Sequence, residues 1–251
     1  MQFSLDVREN RSVPTVRSTR CAAAFASLLA ACALAACTTT VDGTARYADV
    51  TVDPDRPLVK IAALKELLPS ARETGAVMDA PTSEVALAYT TLEKQPEDTL
   101  SEPQCIGAMF GTVELVYRGS GYEGVYGERI WDPATPGSGR LDQGVVAFGS
   151  AEDAAAFVFE QTDTWRQCVG RPLTLNALGQ QVSWNASPPT LANGVDVLAR
   201  TQEGGGGFGC ARGLAAGSNV VADVIACSND GAQAAGQATE IVNMILEKIP
   251  T

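Results

Sequence analysis

The sequence predicts a single α+β domain in which a mainly antiparallel sheet packs against helices. Helical periodicity dominates the first half of the chain and returns at its C-terminus, whereas the segment after Gly170 consists of short β-prone runs between turns. Segregated runs of helices and strands are typical of α+β folds. Four cysteines outside the N-terminal leader add the expectation of two disulfides, since an even number is common in exported domains.

The N-terminus is predicted to be a lipoprotein signal peptide over residues 1–36. Four arginines precede an uncharged Ala- and Leu-rich run, 21–36, that is shorter than the roughly 20 residues of a membrane span. The run ends in Leu34-Ala35-Ala36-Cys37, which matches a lipobox and predicts cleavage before Cys37 and lipidation of its thiol. Leu29-Ala30-Ala31-Cys32 is a second match. Cys37 is preferred because a polar segment follows it.

Residues 37–57 are predicted to be the lipidated cysteine and a flexible tether, because the segment is Thr-rich and carries Asp53-Pro54-Asp55-Arg56-Pro57. The folded domain is then 58–251. Its first part has a helical pattern from Leu58 to Met78 with a break at Pro69, followed by a loop that contains a strand near Val85–Tyr89. Apolar residues recurring every three to four positions predict one helix from about Gln104 to Arg118.

Strands are predicted at Tyr122–Trp131 and Gln143–Phe148, followed by a helix that Ser150 and Asp153 cap and that ends near Cys168. Alternation and turn residues then predict the strands Leu173–Asn176, Gln181–Trp184, Gly194–Gln202, Phe208–Ala215 and Asn219–Cys227. A helix from about Gly231 to Ile249 completes the domain.

The last two strands suggest a disulfide pairing. A hairpin turn centred on Ser218 and Asn219 would place Cys210 directly opposite Cys227, a cross-strand separation that a disulfide can span. The remaining pair is Cys105 and Cys168, which would join one helix to another. Spacing alone leaves three connectivities open, and the hairpin argument selects this one.

Composition excludes several classes of function. The chain has no histidine, so Ser–His–Asp and Cys–His catalysis and the usual His-ligated metal sites are excluded, and no metal or cofactor is expected. The net charge of −11 repels phosphate backbones and anionic lipids. Nucleic acid is therefore not an expected partner, and membrane attachment is expected to come from the lipid anchor.

Several segments together resemble one family, the PknH-like extracellular sensor domain of mycobacteria. These segments are Leu67-Leu68-Pro69-Ser70-Ala71, Cys105-Ile106-Gly107-Ala108, Tyr117-Arg118-Gly119-Ser120-Gly121-Tyr122, Gln143-Gly144-Val145-Val146-Ala147-Phe148, Trp165-Arg166-Gln167-Cys168 and Thr201–Arg212. The resemblance covers roughly Leu64 to Thr251. It implies one α+β domain with two internal disulfides and a large ligand cleft. Such domains occur at the outer end of a receptor serine/threonine kinase and in stand-alone lipoproteins, and this chain resembles the lipoprotein form.

Three groups of residues are candidates for a site. The run Glu203-Gly204-Gly205-Gly206-Gly207-Phe208-Gly209 suggests either a ligand-closing loop or, more commonly, a strand connection that needs glycine dihedrals. Aromatic and basic residues that could line a cleft are Tyr122, Tyr126, Arg129, Trp131, Arg200 and Arg212, and the predicted ligand-binding set is Tyr126, Trp131, Arg200, Glu203 and Arg212. Possible carboxylate pairs are Glu97 with Asp98 and Glu123 with Glu128, although solvated surface is the commoner role of such residues.

The favoured hypothesis is a non-catalytic, membrane-anchored extracytoplasmic lipoprotein that senses or carries a cell-envelope ligand, or that pairs with a receptor kinase or envelope protein. The alternative is a cell-envelope enzyme that uses carboxylate chemistry without histidine. A third possibility is a structural envelope protein that acts through surface contacts. Two carboxylates about 5–9 Å apart in the cleft would favour the enzyme.

Overall fold

The computed structural model describes residues 57–96, 99–134, 139–177 and 180–250. The predicted signal peptide, Cys32, Cys37, the tether before Pro57 and the Glu97–Asp98 pair lie outside these residues. The strands are β1 Glu84–Tyr89, β2 Gly124–Trp131, β3 Arg140–Ala147, β4 Pro172–Ala177, β5 Gln180–Ala186, β6 Thr190–Ala192, β7 Val195–Gln202, β8 Gly209–Gly217 and β9 Val220–Ser228. The α-helices are α1 Leu64–Leu67, α2 Ala71–Val77, α3 Ile106–Met109, α4 Glu114–Tyr117, α5 Ala151–Gln167 and α6 Gly231–Leu246.

One antiparallel sheet organises the domain, in the order β1-β2-β3-β9-β8-β7-β5-β4, with β6 paired to β7. The predicted α+β class is confirmed. Helix α6 packs on one side of the sheet with α1 and α2, and we call this side the α6 face. Helices α3, α4 and α5 pack on the other side, the α5 face. Because side chains alternate along a strand, the central strands β2, β3, β7, β8 and β9 contribute to both cores.

The last hairpin has the predicted register. Cys210 is paired with Cys227, and a disulfide joins them across a Cα–Cα distance of 4.0 Å. Ser218 adopts a left-handed conformation in the turn. The second disulfide joins Cys105 to Cys168 at the end of α5, so the predicted connectivity is confirmed.

The predicted helix from Gln104 to Arg118 is wrong, because the segment forms two short helices. Phe110 and Val113 have extended backbones and separate α3 from α4. Packing explains the break: a Cβ on Gly111 would lie 2.8 Å from Oδ1 of Asp223, so the connection lies directly against the sheet. The apolar periodicity correctly marks buried positions, which occur in both short helices, but tertiary contacts interrupt the helix between them.

A short strand was missed before β7. β6 and β7 form a hairpin around Asn193 and Gly194, both left-handed, with Ala192 paired to Val195. Asn-Gly between β-prone segments is a strong signal for such a turn. The final helix ends at Leu246 rather than near Ile249, although Ile249 is still buried.

Candidate functional site

The predicted ligand-binding residues do not share one site. Tyr126 lies on the α6 face, where its hydroxyl donates to Oε1 of Glu128 at 3.1 Å. Trp131, five residues along the same strand, is 46% exposed, and its indole donates to Glu84. Arg200 and Arg212 are buried on the α5 face. Two of the five residues therefore lie together in the core, and Tyr126 lies on the opposite side of the sheet.

Glu203 and the glycine run form the turn between β7 and β8. The Glu203 carboxylate accepts a hydrogen bond of 3.0 Å from Nδ2 of Asn185. Gly204, Gly206 and Gly207 have left-handed backbones, which favour glycine. A Cβ on Gly209 would lie 2.8 Å from Cα of Gly231 at the start of α6. Turn geometry and close packing thus account for these glycines.

Arg212 and Asp223 form an ion pair at the centre of the α5 face. Two guanidinium nitrogens of Arg212 donate to the two carboxylate oxygens of Asp223, at 2.8 and 2.7 Å, and both side chains are 0% exposed. The Tyr117 hydroxyl donates to the same carboxylate at 2.8 Å. Burial lowers the pKa of Arg212, but the charge and hydrogen bonds of Asp223 together with Tyr117 outweigh it, so the net pKa of Arg212 is raised. Burial and then Asp223 raise the pKa of Tyr117, which stays neutral.

This ion pair also positions the helices above it. Nη1 of Arg212 donates to the Gly107 carbonyl at 2.6 Å, and Nε1 of Trp165 donates to the same oxygen at 2.9 Å. Oε1 of Gln161 accepts a further bond of 3.2 Å from Arg212. Through these contacts one buried arginine links α3 and α5 to β8, which makes its role structural.

A second polar cluster lies nearer the β1 edge of the same face. The Tyr89 hydroxyl donates to Oδ1 of Asp142 at 2.6 Å, and Nε of Arg129 donates to Oδ2 at 3.3 Å. Burial raises the pKa of Asp142, and the bonds from Tyr89 and Arg129 oppose that shift. The tyrosine ring lies over Gly127, where a Cβ would come within 2.2 Å of Cζ. The glycine therefore creates the space that Tyr89 fills.

An open cleft of about 610 Å³ lies on the α6 face, between the β6–β7 hairpin and the outer flank of α6. The sheet side contributes Thr190, Ala192, Asn193 and Val197. The helix side contributes Ala235, Gly236, Thr239, Glu240, Asn243, Met244 and Glu247. The volume is within the range of small-molecule sites, about 300–1,000 Å³.

The lining of this cleft is amphiphilic. Ala192, Val197 and Met244 offer apolar surface, whereas Glu240 on α6 and Glu247 at its end place two exposed carboxylates about two helical turns apart. No basic residue lines the cleft in the described part of the chain. Such a surface suits a ligand with an apolar portion and neutral or cationic polar groups. Of the predicted ligand-binding residues, none lines it.

Of the two predicted carboxylate pairs, only Glu123 with Glu128 lies within the described residues, and it does not form a catalytic arrangement. Glu123 directly precedes β2 and Glu128 lies five residues further on, about 16 Å away along an extended chain at about 3.3 Å per residue. Their odd and even positions also place them on opposite faces of the sheet. Over the described ranges, no group of three or more acidic, cysteine or histidine side chains is arranged to hold a metal ion. No helix within those ranges has the length and apolar character to cross a membrane.

The sequence analysis singled out Arg212 as a cleft residue but missed its buried ion pair with Asp223, although one signal for the pair was present. With Cys210 opposite Cys227, Arg212 faces Ile225, and Asp223 is its diagonal neighbour on the same face. An acid in the otherwise apolar run Val220–Ala226 needs a partner in the core. The register that predicted the disulfide thus also predicts the ion pair.

Comparisons with known proteins agree on the family. A family model described as the PknH-like extracellular domain matches residues 59–248. The chain is 32% identical over 203 residues to the serine/threonine-protein kinase PknH of Mycobacterium bovis, a match covering 79% of this chain and 32% of the kinase. PknH of Mycobacterium tuberculosis H37Rv is also 32% identical over 203 residues, or 79% of this chain and 31% of the kinase. The chain thus spans about a third of the length of these relatives.

The solved extracellular domain of PknH from Mycobacterium tuberculosis has the same fold. Its crystal structure matches with a TM-score of 0.72 and 30% sequence identity, covering 77% of this chain and 98% of that chain. Nearly the whole solved domain is therefore matched by this chain. The chain belongs to the PknH-like extracellular domain family.

Proposed function

We propose that this chain is a lipid-anchored extracytoplasmic lipoprotein whose domain binds a cell-envelope ligand without catalysing a reaction. The cleft along α6 is the observation that carries the binding function. It is large enough for a small molecule, its floor is apolar, and its rim is polar. Membership in a family named for a kinase's extracellular domain supports a sensing role outside the membrane.

The ligand is expected to be amphiphilic. Its apolar portion would contact Val197 and Met244, and its hydroxyl or amine groups would face Glu240 and Glu247. The acidic chain, at net −11, adds a field that favours neutral or cationic molecules over anions at this open surface. A receptor kinase or another envelope protein is the alternative partner.

Gly236 offers a selective way to fill the cleft. A Cβ at this position on α6 would meet no atom within 4 Å. We expect Gly236→Trp to reduce ligand occupancy about tenfold or more, because the indole competes for the cleft, a loss of about 1.4 kcal/mol or more. The measurement is native mass spectrometry of the protein purified from an actinobacterial envelope, in which a bound ligand appears as an extra mass that leaves on activation.

Gly236→Ala is the matched control. It should retain the extra mass and stabilise α6 by about 0.5–1 kcal/mol, since alanine is favoured over glycine inside a helix. An extra mass retained equally by Gly236→Trp would place the ligand elsewhere. A wild-type protein with no extra mass would favour a protein partner over a small molecule.

The anchor is tested separately. We expect Cys37→Ser to abolish incorporation of a palmitate analogue and to release the protein from the membrane fraction, because the thiol is the proposed site of lipid transfer. Cys32→Ser should label and fractionate as wild type. The reverse pattern would assign the anchor to Cys32.

A further inference from the structure

Arg200 is a buried cation without a counter-charge. It lies on β7 on the α5 face and is 4% exposed. Its Nη2 donates to the Met109 carbonyl at 2.9 Å, and its guanidinium lies 5.8 Å from the Trp184 ring centroid. Its Nε and Nη1 have no hydrogen-bond partner among the described residues. Both nitrogens are enclosed, so their donors are withheld from solvent as well.

The neighbouring strand shows what Arg200 lacks. Arg212 faces the same side, and its guanidinium is matched in two bonds by Asp223. Asp223 also accepts from Tyr117, so this carboxylate already holds three hydrogen bonds, none of them from Arg200. Burial and then repulsion from Arg212 lower the pKa of Arg200. A cation buried without an opposing charge is costly, and buried charges are ordinarily paired.

Trp184 provides a second unpaired donor at the same place. It is 7% exposed, and its Nε1 has no partner in the described part of the chain. Trp184 lies on β5 and is paired with Gln202 of β7. Gln202 is two positions beyond Arg200 and on the same face of the sheet. Indole and guanidinium groups donate hydrogen bonds and cannot accept them. Two donor-only groups within one cluster therefore call for an acceptor with negative charge.

We propose that Arg200 and Trp184 form a binding site for an anionic oxygen group, such as a carboxylate or a phosphate. The proposal is independent of the cleft, which lies on the opposite face of the sheet. Enclosure strengthens the attraction, because charges interact more strongly away from water. Phe208 is partly exposed and packs edge-on against Trp184, with 5.8 Å between the ring centroids, so we expect its rotation to admit the group.

The indole N–H signals in a ¹⁵N–¹H correlation spectrum test this site. The chain has three tryptophans. Trp131 and Trp165 donate to Glu84 and to the Gly107 carbonyl, so they serve as internal references. Purified full-length protein would be titrated with sodium acetate or sodium phosphate at ionic strength held constant with chloride. We expect a saturable shift of the Trp184 signal alone, and the anion that produces it identifies the bound group.

Three variants make the assignment specific. Trp184→Phe removes and so identifies the signal. Arg200→Met should weaken anion binding about tenfold or more, because a charge-assisted hydrogen bond is lost. Arg166→Met, which removes an exposed arginine from α5, should respond as wild type. If the fold of Arg200→Met is disturbed, shown by movement of the other indole signals, Arg200→Lys replaces it and should bind more weakly than wild type. A Trp184 signal that neither anion moves, or that moves equally without Arg200, overturns the proposal.

Discussion

Replacing Asp223 by asparagine is expected to lower the free energy of unfolding by about 3–5 kcal/mol, the usual cost of removing one partner of a buried ion pair. The substitution keeps the side-chain shape but leaves Arg212 charged and 0% exposed without a counter-ion. It also weakens the acceptor for Tyr117. Equilibrium denaturation in urea, with the disulfides intact, measures the effect.

A double variant separates charge from packing. Adding Arg212→Met to Asp223→Asn should recover much of the lost stability, because the unpaired buried charge is removed. Asp163→Asn is the surface control: its partner Arg166 is half-exposed, and the pair is expected to contribute at most about 1 kcal/mol. If Asp223→Asn costs no more than Asp163→Asn, the central ion pair does not stabilise the fold as argued.

The effect would extend beyond one strand pair. Arg212 holds the Gly107 carbonyl of α3 and Gln161 of α5, and Asp223 holds Tyr117 of α4. Loss of the carboxylate therefore loosens all three helices of the α5 face. The residues that line the cleft on the α6 face make none of these contacts. We therefore expect Asp223→Asn to reduce stability more than it reduces ligand binding in the cleft.

Sequence patterns predicted the parts of this fold that depend on local periodicity. Alternation and the turn at Ser218–Asn219 determined the register that joins Cys210 to Cys227. The Ser150 cap and the apolar face of α5 were likewise local, and Ser150 accepts from the Asp153 amide as expected. These features need no knowledge of distant residues.

Features that depend on distant contacts were not predictable in the same way. The helix break at Gly111 follows from its contact with Asp223, more than a hundred residues away. The cleft lies between the β6–β7 hairpin and α6, which are about forty residues apart in the sequence, and its residues carry no motif. Aromatic and basic residues were instead favoured as ligands, although alternation alone places Tyr126 and Trp131 on opposite faces. Arg200 was selected as a ligand-binding residue because it is an arginine. That its charge is buried without a carboxylate partner among the described residues is visible only in the folded structure.

The two disulfides are expected to stabilise the domain unequally. Replacing Cys105 and Cys168 by alanine should cost about 4 kcal/mol, against about 3 kcal/mol for Cys210 and Cys227, because a longer closed loop restricts the unfolded chain more. The sequence separations are 63 and 17 residues. Guanidinium denaturation of the two double-alanine variants, each with its other disulfide intact, gives the comparison.

Local structure also makes the Cys210–Cys227 bond the less stabilising of the two. Cys210 and Cys227 are already held opposite each other by the β8–β9 ladder, so a hairpin that persists in the unfolded state reduces what their bond adds. Cys105 and Cys168 have no such ladder: their bond joins the residue before α3 to the end of α5. Since α3 supplies the Met109 carbonyl that Arg200 contacts, the first variant should also perturb the Trp184 indole signal. Equal losses of stability would mean that packing around the sulfurs, rather than loop closure, sets the contribution of each bond.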